Sequence, residues 1–467
     1  MIRLTRPVLL LLAAVLGATG PASAHVSEGG LIMLLPTAHY AAAGFSVVAL
    51  TALATMALPQ GRADWLFHTR TIRFVPPAPV NAGVNLAALA TFLLLLVSGW
   101  AGTRDPLENP LSLMVWTFWW CVLLPVQSLL FDIWRWLNPF AGLARLLGLM
   151  RVRGLQLPAL MRLGHWPGVI AWLGVVSFYL ADIAPDYPPR LAAFASAYLL
   201  WTLTGMVLTS PGWWLAHGEF VTMMMRLLAR LAILRRAGAI LHFGLPGHGV
   251  VHGPAPARAQ ALLAVAMLAM GSFDGINETF LWLAAIGVNP LEFPGRSAVA
   301  MPTVAGLLAT ICLFVAAFTI AIALGARLAG LPDRCGMLFR RQALALLPII
   351  AGYHIAHYLT VFLVNGQYFA EMLTHWMDGM DGLPGLHGHR QVTTGFLNST
   401  VTVQIIYLTQ AGAVVLGHAV AIMAAHAIAE RVTTGRRTAL LAHLPLVILM
   451  LAYTLVGLWL LAAPRGA

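Results

Sequence analysis

Long apolar stretches alternate with short arginine-bearing segments from residue 31 onward. A helix needs about 20 apolar residues to cross a bilayer core. Ten stretches reach that length: 31–58, 80–101, 111–132, 165–183, 191–210, 259–286, 301–326, 342–369, 399–429 and 440–462. They predict an all-α fold, a polytopic transmembrane helix bundle. Several are longer than a straight crossing needs, which allows tilt or kinking. Pro36, Pro125 and Pro348 fall inside predicted spans, where neighbouring helices must satisfy the freed carbonyls.

Ahead of the first span, Arg3 and Arg6 precede the apolar run 7–16, and Ala22-Ser23-Ala24 follows it. This is the pattern of a cleaved secretory signal peptide over 1–24, with 25–467 as a single integral membrane domain. His25 then becomes the first mature residue, offering an amine and an imidazole to a metal such as copper. With His25 outside and each span crossing once, the segments placed inside hold 20 arginines and those outside hold five. The excess of inside arginines fits a multi-pass protein of a bacterial inner membrane with its mature N-terminus in the periplasm. Two inside segments, 138–153 and 218–236, mix Leu, Met and Phe with Arg at helical spacing. They read as amphipathic helices lying on the anionic inner leaflet of the lipid bilayer.

Composition supports the membrane reading. The chain of 467 residues is 60% apolar and 9% charged, against about 25% charged in soluble domains. Its net charge of +11 would otherwise suggest nucleic acid, but loop arginines account for it, and no nucleic-acid partner is expected. All 27 basic residues are arginine, which excludes lysine Schiff-base chemistry and a Walker A loop. Cys121, Cys312 and Cys335 form no C-x-x-C pair, so zinc-ribbon, thioredoxin and c-type haem motifs lack support.

Ionisable residues inside spans are costly and mark function by default. GSFDGINETF sets Asp274 and Glu278 four residues apart on one predicted helical face. AGYHIAHY sets His354 and His357 three apart. At about 1.5 Å per residue, Asp274 and His357 lie about 22 Å, and His354 about 18 Å, from the inside ends of their spans. Carboxylates and imidazoles at one depth are the ingredients of a helix-bundle metal site, with a divalent ion such as zinc or copper. Asp274, Glu278, His354 and His357 are the leading catalytic and metal-binding candidates, with His418, His25 and His39 as further ligands. Gln404, Tyr407 and His418 fall on one stripe of their helix. A hydrogen-bonded polar core that only ties helices together is the competing account of all these groups. The outside loop 370–398 adds Glu371, His375, Asp378, Asp381, His387 and His389, with Met372, Met377 and Met380, and has glycine hinges suited to a lid.

Five segments stand in order along the chain: FDIWRWLNPFAGLARL, GHWPGVIAWLGVVSFYLADI, GSFDGINETFLW, AGYHIAHYLTVFLVNGQ and GHAVAIMAAHAIAE. As a set, from Trp119 to Glu430, they resemble the fenitrothion hydrolase family of membrane-bound heterodimeric organophosphate hydrolases. The resemblance implies a phosphoric triester hydrolase subunit that cleaves the aryl ester P–O bond of lipophilic substrates beside a second membrane subunit. It supplies no catalytic residues. Ala24-His25-Val26 keeps the His of the AHG-like mature start of some relatives but not its Gly. Metal-activated water is the chemistry that the candidate ligands suggest, and no G-x-S-x-G elbow is present. A metal-handling protein, a transporter of a small solute and a haem-bearing electron-transfer subunit are the alternatives.

Overall fold

A computed structural model describes residues 31–73, 78–151, 154–291, 295–378 and 392–464. The signal-peptide assignment, His25 and the segment 379–391 of the outer loop lie outside these residues. Among the described residues, nine helices are long and apolar enough to cross a membrane, which makes the chain a multi-pass membrane protein. The principal helices are α1 (Thr37–Ala57), α2 (Ala78–Ala101), α3 (Pro110–Leu129), α4 (Trp166–Ala181) and α5 (Pro188–Leu208). They continue as α6 (Phe220–Leu228), α7 (Arg258–Ile276), α8 (Arg296–Leu328), α9 (Leu347–Asp378), α10 (Thr400–Val432) and α11 (Arg436–Ala462).

The spans differ from expectation in four places. Helix α9 runs on to Asp378, so residues 370–378 of the expected outside loop, with Glu371 and His375, are helical. Expected span 165–183 is α4, whose 16 residues are fewer than a full crossing requires. Expected span 259–286 breaks after Ile276: Thr279 caps a new helix, Phe280–Ala285, by accepting a hydrogen bond from Trp282 N–H at 3.3 Å. Asn and Thr side chains compete with the helix for backbone groups, which is why this polar run turns instead of continuing. Pro36 lies at the N-cap of α1 rather than inside it.

The segments expected on the inside meet at one end of the bundle. Arg431 pairs with Asp64 at 3.0 Å, Arg341 donates to the Gly253 carbonyl at 2.7 Å, and Arg334 to Val432 at 2.7 Å. A three-stranded antiparallel sheet also lies here, in the order β1 (Arg70–Arg73), β3 (Ile240–Phe243), β2 (Leu234–Ala237). The turn from β2 to β3 uses Gly238 at a φ of 62°, a conformation other residues adopt at a cost. At the opposite end, Ser112 donates to the Asp186 carbonyl at 2.7 Å and Phe280 N–H to Pro464 at 3.1 Å.

The small sheet corrects a purely helical expectation, and it overturns the reading of 218–236 as one surface helix. Only Phe220–Leu228 is helical, and every residue of it except Arg226 is buried. The helix is held in the core by its own polar neighbours. Glu219 accepts hydrogen bonds from Val221 N–H at 2.9 Å and Thr222 N–H at 2.8 Å, and it also bonds Tyr198. Gln127 donates to the Met225 carbonyl at 2.8 Å, while Trp134 and Asn138 both donate to Thr222. Beyond Leu228 the backbone bonds outward to Leu129 and Leu130, and the chain becomes a strand. The other expected surface helix, 138–153, is also shorter and more buried than expected: only Pro139–Leu146 forms one α-helix, capped by the Asn138 side chain, and Pro139, Phe140, Gly142, Leu143 and Ala144 are buried while Arg145 and Leu146 are exposed.

Candidate functional site

The site forms where α3, α4, α7 and α9 meet. Asp274 stands near the end of α7, and the side chains of Asp274 and His357 are each 9% exposed. His357 Nε2 lies 3.2 Å from Asp274 Oδ2. Tyr358, the next residue on α9, donates its hydroxyl proton to the same oxygen. The Tyr358 hydroxyl lies 3.0 Å from that of Tyr179 on α4. With the Tyr358 proton directed at Asp274, Tyr179 becomes the donor to Tyr358. The carboxylate is therefore met by an imidazole on one side and two phenols in series on the other. In a low-dielectric interior such charge-assisted bonds are strong, and each removal leaves a buried group uncompensated.

His354 takes another direction, and the reason lies in α3. Residues Leu113–Leu123 of that helix are wound as a π-helix, in which bonds run from residue i to i+5. Leu124 N–H bonds the Trp119 carbonyl, and the next residue, Pro125, has no N–H to offer Trp120. The Trp120 carbonyl is thus free, and His354 Nε2 bonds it at 2.8 Å. A carbonyl only accepts, so Nε2 carries the proton in this bond. Tyr353 stacks on His357 with ring centroids 5.6 Å apart, and Trp120 meets Tyr358 edge-on at 5.8 Å. Asp274, Tyr353, His354, Tyr358 and Trp120 line a cavity of about 60 Å³, completed by methionines such as Met224 and Met267. That is room for about two water molecules.

Arg296 fixes the far end of the network. Its guanidinium donates to the carbonyls of Tyr179 at 2.9 Å, Leu180 at 3.0 Å and Asp182 at 2.9 Å. These are acceptors that the end of α4 leaves unpaired. Asp182 itself forms a two-pronged pair with Arg190, with contacts of 2.8 and 2.6 Å. The Arg190 guanidinium holds the Asp182 carboxyl below its ordinary range.

The expected ligand set assembles in part. Asp274 and His357 touch, and Asp274 and His354 both line the cavity. Glu278 sits exposed on the turn after α7, because the helix ends before it, and it has no shared helical face with Asp274. His418 is 1% exposed, bonds the Val414 carbonyl at 2.8 Å through Nδ1, and faces Tyr453 at 5.6 Å. His39 is exposed on α1. Gln404 of the predicted stripe donates to Tyr40 at 2.8 Å and ties α10 to α1. Among the described residues, no three His, Cys, Asp or Glu side chains gather closely enough to hold a metal ion. Of the donors that do converge, Asp274 and His357 are bonded to each other and His354 to the Trp120 carbonyl. Tyr358 and Tyr179 escaped the sequence reading. Tyr358 was within reach of it, since it follows His354 by four residues and so shares its helical face.

No protein-family profile, curated protein or solved structure matches the chain.

Proposed function

We propose that the chain is the membrane subunit of a hydrolase of lipophilic, uncharged esters of the fenitrothion type. In this reading the Asp274–His357 pair activates water. The observation that carries it is the buried carboxylate bonded to one nitrogen of His357, while the other, Nδ1, is buried with no partner among the described residues. That is the division of labour of a carboxylate-oriented general base. His357 Nδ1 takes a proton from water as the water oxygen bonds phosphorus. The P–O bond to the aryl group breaks, and the arylate leaves with the electron pair. Asp274 stabilises the imidazolium until its proton returns to solvent. Tyr358 donates to the Asp274 carboxylate and Tyr179 donates to Tyr358 behind it, which holds the carboxylate in place against His357. No step runs through a metal, because Asp274 and His357 are engaged with each other and His354 with the Trp120 carbonyl. A neutral triester would enter from the bilayer, and a second membrane subunit would complete the substrate pocket.

The test is nitrophenol release from fenitrothion by membranes carrying the chain, with and without the second subunit, before and after chelation. Asp274→Asn and His357→Ala at matched expression are expected to lower the rate about 10²- to 10⁴-fold. Chelation is expected to leave it unchanged. Unaltered activity in both variants would remove the site from consideration.

The cavity favours one other reading. At about 60 Å³ it is far below the roughly 300 Å³ or more of a small-molecule pocket. A buried Asp–His–Tyr network around a water-sized space also suits proton coupling in a transporter of a small solute. Accumulation of solute in sealed vesicles, abolished by Asp274→Asn and by collapse of the proton gradient, would favour it over hydrolysis.

A further inference from the structure

A second titratable cluster lies at the sheet end, between α10 and α11, remote from Asp274. His426 is 1% exposed and His443 0%, and the Glu430 side chain is 4% exposed. They stand in a row. His443 Nδ1 lies 2.7 Å from the Ala439 carbonyl, four residues back on its own helix. His426 Nδ1 lies 3.1 Å from His443 Nε2. His426 Nε2 lies 3.6 Å from Glu430 Oε1, which also accepts Gly61 N–H at 3.1 Å.

The proton positions follow from one end of the row. A backbone carbonyl has no proton, so His443 Nδ1 must carry one to bond Ala439. Neutral His443 then presents a lone pair at Nε2, and His426 must donate to it from Nδ1. Neutral His426 in turn presents a lone pair at Nε2, directly toward a Glu430 oxygen. Two acceptors face each other there, and both are buried with no other partner for His426 Nε2 or Glu430 Oε2 among the described residues. One added proton turns that repulsion into a hydrogen bond.

We propose that His426 and Glu430 form a proton-binding site that takes up a single proton and shares it between imidazole and carboxylate. His443 sets the tautomer of the neutral row through its bond to Ala439, and the added proton enters at the His426 Nε2–Glu430 end. Charged groups on the neighbouring elements surround the pair, and Arg436 and Asp64 act on it directly. Arg436 on α11 bonds the carbonyls of Met56 and Ala57, each at 3.1 Å. Arg334 and Arg341, from the segment before α9, bond the carbonyls of Val432 and Gly253, each at 2.7 Å. Asp64 of the helix Arg62–Leu66 is paired with Arg431 at 3.0 Å and His252 at 3.1 Å. Asp64 is about a third exposed and follows Gly61, the residue bonded to Glu430, so it offers the proton a way to water.

The test uses the full chain in lipid nanodiscs, with ¹⁵N-histidine, by nuclear magnetic resonance and by pH-difference infrared spectroscopy. At alkaline pH, His443 and His426 are both expected as the Nδ1–H tautomer. On acidification, the His426 Nε2 resonance or a protonated-carboxyl band should change by one proton per chain. Glu430→Gln should lose that change and leave the resonances of His354 and His357 in place. His443 found as the Nε2–H tautomer, or an acid titration unaltered in Glu430→Gln, would overturn the proposal. The tautomer assignment needs only the unaltered protein, so the proposal stays testable even where Glu430→Gln does not fold.

Discussion

Single residues carry much of the argument, and two of them give direct tests. Pro125 matters for the N–H it lacks. In Pro125→Ala, an N–H returns where the Trp120 carbonyl waits, and His354 loses sole claim to it. The helix gains a bond of about 1 kcal/mol while a buried imidazole loses its acceptor. The expected outcome is a shifted ¹⁵N resonance of His354 with the unfolding temperature little changed. His248 gives the second test. It is 2% exposed beside the sheet, and burial pushes its pKa from 6.5 down to about 4, with the Arg235 charge acting in the same direction. The folded state keeps it neutral, whereas the unfolded chain protonates it below about 6.5. The unfolded state then binds more protons, so stability falls as pH drops from 6.5 toward 4. Thermal unfolding across that window should show a shallower loss in His248→Gln than in the unaltered chain.

At the scale of elements, close crossings rest on residues without side chains. A methyl on Gly352 of α9 would lie 2.4 Å from the Ala413 carbonyl of α10, and one on Gly417 would lie 2.7 Å from the Pro348 carbonyl. Small residues let helix backbones approach in this way inside membranes. Gly352→Ala is expected to cost about 1–3 kcal/mol by overpacking. Gly366→Ala on the same helix, whose nearest neighbour is Phe362 at 3.5 Å, should cost little and serves as the control. Thermal unfolding in detergent separates the two. The same scale shows what the sequence makes legible. Apolar runs of spanning length announce nearly every helix, and Asp274 and His357 stand out because charge is rare in such runs. The break after Ile276, the π-helical turns of α3 and the strand at Leu234–Ala237 do not stand out. The strand depends on partners distant in sequence, Leu129 and Leu130 for the segment entering β2, while the break turns on a single capping threonine inside an apolar run. Glu278 leaves the helical face of Asp274 because the helix ends at Ile276, ahead of the capping Thr279.

For the whole molecule, the gathering of the arginine-bearing segments at one end gives a prediction of sidedness. With Cys121, Cys312 and Cys335 replaced by serine, Arg104→Cys should react with an impermeant maleimide on intact cells, and Arg70→Cys only after lysis. The reverse pattern would invert the orientation and put the Asp274 site nearer the cytoplasm. The sheet at that end also imposes an order on assembly. Its first strand finds its partner 173 residues further along, the separation of the neighbouring Thr69 and His242. At roughly 5–20 residues per second of synthesis, β1 waits about ten to thirty-five seconds with its backbone groups unpaired. An unpaired strand is a template for wrong pairing. The arginines at both ends of Arg70–Arg73 then act as chaperones of a kind, since their charge keeps the idle strand from joining another nascent chain.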